Sequence, residues 1–63
     1  PEADSLARVL VDDALARGRW TEDDAARLRQ LMGRLGPDAG RDVLAALVQA
    51  ANAQRLVPEA PLL

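Results

Sequence analysis

Trp20-Thr21-Glu22-Asp23-Asp24 is the stretch on which the fold turns. Thr21 fits the N-cap of a helix, where a side-chain oxygen accepts from free backbone N–H groups. Asp24, three residues on, completes the aspartate form of a capping box. Glu22, Asp23 and Asp24 place negative charge at the positive end of the helix dipole. Trp20, just before the cap, can fold back onto the first turn. Ala25, Leu28, Leu31, Met32 and Leu35 then recur at helical spacing, with Arg27, Arg29, Gln30 and Arg34 on the opposite side. This pattern predicts a one-sided helix over about 22–35.

Upstream, Gly18 can adopt the left-handed conformation that ends a helix, and Asp4 or Ser5 can cap one, so a helix is expected over about 5–17. Leu6, Leu10 and Ala14 share a stripe with Ala7, whereas Val9, Val11 and Leu15 fall outside it. Downstream, Gly36-Pro37 stops one helix and opens the next, because proline loses nothing at a first helical position. That third helix should reach about Gln54, burying Val43, Leu44, Leu47, Ala50 and Ala51. Pro58 and Pro61 then forbid further helix, which predicts an extended tail over 56–63. The short connections favour neighbouring antiparallel helices. The expected fold is all-α: a small three-helix bundle, one domain over 1–63, with an extended proline-containing C-terminal tail.

The chain has 63 residues and neither cysteine nor histidine. A domain this short buries only about 60 % of its unfolded surface and usually needs a staple. Without these two residue types, disulfides and most zinc, haem or iron–sulfur sites are excluded, so no cofactor or metal is expected. Association with another chain, or with the rest of a longer protein, is the staple that is left. Trp20 is the only aromatic residue, and all basic residues are arginine. We read the arginine bias as the codon usage of a GC-rich, bacterial genome. The net charge of −2, mixed in sign along the chain, sets up no field toward nucleic acid or an anionic membrane. No signal peptide or membrane-length apolar run is evident, so a cytoplasmic location is expected. The apolar C-terminus and the start at Pro1 read as a segment of a longer protein.

Asp4-Ser5-Leu6 resembles the phosphopantetheine attachment signature of acyl carrier proteins. Those carriers place a full helix before the serine, and an ordinary N-cap accounts for the residues here. Asp13 to Asp24 has the length of an EF-hand loop, but Leu15 and Arg17 stand where calcium needs oxygen ligands. The helix–Gly–apolar–Thr–acidic pattern over Leu10 to Leu35 resembles the helical hairpins called SHOCT domains, without the aromatic that follows their acidic pair; it carries no function with it. Three short helices are also the minimal frame of a DNA-binding helix-turn-helix, with Arg17, Arg19, Arg27, Arg29 and Arg34 as a loose basic cluster. In that alternative helix three would read the groove, yet Asp38 and Asp42 flank its Arg41 and repel phosphate. With no His, Cys, Lys or Tyr, and with Ser5 and Thr21 committed to caps, no catalytic residue and no small-molecule substrate are expected.

The functional expectation rests on surplus. Leu6, Leu10, Leu28, Leu31, Met32, Leu35, Val43, Leu44 and Leu47 supply one stripe per helix for the core. Val9, Val11, Leu15, Val48, Leu56 and the terminal leucines are left over. The chain is therefore expected to be a non-catalytic protein–protein interaction or self-association module of a regulatory or multidomain protein, with a homodimer as its leading form. Its interface would use Val9, Val11, Leu15, Trp20, Leu56, Leu62 and Leu63. Trp20 has two readings, as the staple between the first two helices or as an exposed anchor.

Overall fold

A computed structural model describes residues 2–62. It contains helices α1 (Glu2–Arg17), α2 (Glu22–Met32) and α3 (Pro37–Asn52), with short strands β1 (Arg19–Trp20) and β2 (Val57–Pro58). The fold is a small all-α three-helix arrangement. No helix among the described residues is long and apolar enough to cross a membrane.

The capping box forms as the sequence predicts. Thr21 is the extended N-cap of α2, its hydroxyl accepts from the Asp24 N–H, and its own N–H donates to the Asp24 carboxylate at 2.9 Å. Trp20 and Ala25, on either side of the cap, are both fully buried, as a staple requires. α2 stops at Met32, earlier than expected, although a hydrogen bond from Leu35 N–H to Leu31 C=O continues one loose turn. Gly33 is a poor helix former, and Pro37 holds Gly36 in the extended region. Pro37 opens α3 as expected.

Two expectations about α1 are corrected. It begins at Glu2, so Asp4 and Ser5 lie inside the helix instead of capping it. Glu2 and Asp4 suit the dipole of a first turn, and Ala3 is buried. Its inward face is also rotated. Ala3, Ala7, Leu10, Val11 and Ala14 are buried, an arc of about 100°. Leu6 leaves the core and Val11 enters it. Both α2 and α3 pack against α1. Alanines at 3, 7 and 14 let them approach closely, which a leucine-centred face would prevent. Gly40 does the same on α3: an added Cβ there would lie 3.1 Å from Met32 Cε.

α3 ends at Asn52 without a glycine. Arg55 N–H donates to Ala50 C=O and Gln54 N–H to Ala51 C=O, the two bonds of a Schellman motif, with Gln54 in the left-handed region at φ 61°. This reversal aims the tail back at the turn between α1 and α2. The tail is extended, as expected, but it is paired along its length. Val57 N–H donates to Gly18 C=O at 2.9 Å and Glu59 N–H to Trp20 C=O at 2.8 Å, forming a parallel bridge of β2 on β1. Pro58 falls between these donors, where its missing N–H costs no ladder bond. Leu56 and Ala60 enter the core with Leu28, Leu47 and Trp20. The Cα radius of gyration, 10.5 Å, matches the roughly 10.6 Å of a folded domain this long, in keeping with a tail that closes the bundle.

Candidate functional site

The residues proposed for an interface separate into two groups. Val11, Trp20 and Leu56 are buried within their own chain: Val11 and Leu56 are corrected from surface to core, and Trp20 follows the staple of its two readings instead of the exposed anchor. The rotation of α1 carries Val11 inward, and the tail brings in Leu56 and covers the tryptophan, whose indole Nε1–H donates to Pro61 C=O at 3.1 Å. Leu15 and Leu62 are half-buried and pack on the edge of the core. Leu63 lies outside the described residues. Val9 remains in solvent, 64 % exposed, and is joined by Leu6 at 44 %. Leu6 was expected in the core, and the rotation of α1 moves it out.

Leu6 and Val9 sit one turn apart on the flank of α1 and line a groove of about 580 Å³ between α1 and α2. Leu10 and Leu31 continue its apolar floor. Its rims have opposite charge: Asp13 on the α1 side, Arg27 and Arg34 on the α2 side with Gln30 between them. A second groove, of about 430 Å³, lies on the other flank of α1, against α3, and shares no residue with the first.

The polar groups nearest the turn are occupied within the chain. Asp24 is 3 % exposed, the one buried charged residue among those described. Arg17 Nη2 donates to Asp24 Oδ1 at 2.9 Å and Nη1 to Oδ2 at 3.3 Å, while Thr21 donates to Oδ2 from both N–H and hydroxyl. Burial alone would raise this carboxyl. The Arg17 hydrogen bonds, the two Thr21 donors and the Arg17 charge outweigh it, and the pKa lies below its ordinary 3.8. Arg17 also reaches Asp13 at 3.3 Å, one turn back on α1. Arg19 pairs with Glu59 of the tail, and that hydrogen bond is the main reason the Glu59 carboxyl lies below its ordinary 4.5.

The chain matches no protein-family model, no curated protein and no solved structure. Two of the five arginines in the loose basic cluster, Arg17 and Arg19, are held by carboxylates of the same chain. The Arg17–Asp24 link was not anticipated from sequence, where Asp24 was read only as a cap. Its signal was present: an arginine ending α1, a one-residue glycine turn, and a capping carboxylate seven residues later.

Proposed function

We propose that this chain is a non-catalytic protein–protein interaction module that self-associates as a two-fold dimer through the groove between α1 and α2. The observation that carries the reading is the pairing of exposed Val9 and Leu6 with rims of opposite charge. A two-fold contact presents the same patch from both sides, so the patch must complement itself. A groove with Asp13 on one rim and Arg27 and Arg34 on the other does so. α1 and α2 are joined by a short turn and packed together, so Leu6 and Arg34 lie toward the ends far from that turn. An axis passing near Val9 would bring Asp13, whose Oδ2 also accepts from Arg17 of its own chain, toward Arg34 of the second copy.

The magnitudes allow it. Burying a Val or Leu side chain contributes about 1.5–3 kcal/mol, and the axis buries each of these residues twice. A standard interface covers about 800 Å² per partner, roughly a fifth of this chain's 4118 Å² surface, so the α1–α2 face must be used nearly whole. The nucleic-acid alternative has less support, because Arg17 and Arg19 are already paired and Arg27 and Arg34 share the groove with Asp13.

Sedimentation velocity over a concentration series tests the proposal. The unmodified chain is expected to shift from monomer to dimer at micromolar concentration. Val9→Asp, which places a charge in the buried centre of the contact, should remain monomeric and melt like the parent at concentrations where the parent is itself monomeric, since Val9 is exposed within its own chain. A Val9→Asp chain that dimerises as well as the parent would contradict the proposed surface.

A further inference from the structure

The second groove is of different character. Val11, Leu15, Leu35 and Val43 form an apolar floor between α1 and α3. Asp4, Asp12 and Asp42 stand around it with one cation, Arg8, so the rim is predominantly acidic. Leu15, Leu35 and Val43 are only half-buried, so the floor retains apolar surface that this chain does not cover.

We infer that this groove docks a basic amphipathic helix from a different protein. The apolar floor takes side chains at helical spacing, and the exposed carboxylates of Asp12 and Asp42 select lysine or arginine on the flanks of the incoming helix. Asp4 to Leu15 spans about 16 Å along α1, enough for three turns of a docked helix. A second copy is a poor occupant. Across a two-fold axis, the acidic rim would face its own counterpart and repel it. The chain's own basic helix, α2, cannot fill the floor either, because Ala25 and Leu28 of its apolar stripe are buried in the parent bundle. An anionic surface is disfavoured by the same carboxylates.

The inference is independent of the dimer, because the two grooves share no lining residue. It is tested with a fluorescein-labelled synthetic helix of about 14 residues, leucine at i, i+3, i+4 and i+7 and lysine elsewhere, beside a counterpart with glutamate for lysine. Anisotropy titrations against the full chain at low salt should show binding of the lysine peptide alone. In ¹⁵N spectra the shifts should centre on Val11, Leu15 and Val43. Charge reversal by Asp12→Lys with Asp42→Lys should weaken binding by at least about tenfold, with Asp12→Asn and Asp42→Asn giving a smaller loss in the same direction. Both Asp12 and Asp42 are exposed, so the variants should melt like the parent. Arg29→Gln, at an exposed position of α2 that lines neither groove, should change peptide affinity less than about twofold. Equal binding of both peptides, indifference to the Asp12 and Asp42 reversals, or shifts gathered at Leu6 and Val9 would overturn the inference. Self-association through the α1–α3 face, detected by sedimentation, would do so as well.

Discussion

Trp20→Ala is expected to cost about 3–5 kcal/mol and leave little of the native fold at room temperature. The ring is fully buried, touches the core from the turn between α1 and α2, and is covered by the tail that pairs with it. Its removal opens a cavity at the meeting point of β1, β2 and the helices and orphans the Pro61 carbonyl. A domain of this length has a total stability on the order of 3–9 kcal/mol, so one such loss is most of it. Far-UV circular dichroism with thermal and urea melts is the appropriate readout, because the variant has no other tryptophan to follow. Trp20→Phe, which keeps much of the ring and loses the indole donor, should cost roughly 1–2 kcal/mol and retain a cooperative transition. A Trp20→Ala chain that melts within about 1 kcal/mol of the parent would show that the tail does not close the core in this way.

Asp24→Ala is expected to be the next most damaging change, at about 2–3 kcal/mol. One carboxylate caps α2 through Thr21 and accepts both hydrogen bonds from Arg17, so a single substitution removes a cap and the link between α1 and α2. Urea denaturation should give a lower midpoint with an unchanged slope. Arg17→Ala should be milder, because the Arg17 side chain is 40 % exposed and water can replace it at the carboxylate. The same site sets a pH dependence. The Asp24 carboxyl titrates below its ordinary value in the folded chain, so its stabilisation is complete above pH 3.8 and is lost as pH falls toward the lowered pKa. Glu59, also lowered, acts in the same direction from 4.5 downward, but it is exposed and its contribution should fade with salt. The melting temperature should therefore be level above about pH 5 and fall below pH 4, with part of that fall absent in Asp24→Ala.

The cap before α2 and the breaker before α3 act as expected, whereas the cap expected at Asp4 or Ser5 does not form because α1 begins at Glu2. Thr21 and Asp24 form the expected box, Pro37 opens α3, and the three helices appear at the expected places because caps and breakers act on neighbouring residues. What was hidden depends on residues far apart. The tail's pairing joins Val57 to Gly18 and Glu59 to Trp20, and no periodicity within 56–62 reports that partner. Gln54 ends α3 in a conformation usually marked by glycine, so that reversal carries no compositional flag. The face of α1 was misjudged for a related reason. The expected stripe already held Ala7, Leu10 and Ala14 but was centred toward Leu6, whereas close packing of two neighbours also takes in Ala3 and turns Val11 inward. That same rotation moves Leu6 beside Val9 and creates the groove on which the functional proposal stands. The expected surplus of apolar side chains thus persists in a different membership: Val11 and Leu56 are absorbed, and Leu6 is released.

Complementary charge reversal across the α1–α2 groove tests self-association most directly. Asp13→Arg alone and Arg34→Asp alone each set like charges against one another across the two-fold axis, and each chain should sediment as a monomer. Mixed in equal amounts, the two chains restore both ion pairs, since each keeps the wild-type residue that the other needs. The prediction is a heterodimer in the mixture, at concentrations where neither chain dimerises alone. A mixture that stays monomeric while the unmodified chain dimerises would place the contact elsewhere, and an unmodified chain that stays monomeric at every concentration would contradict self-association itself.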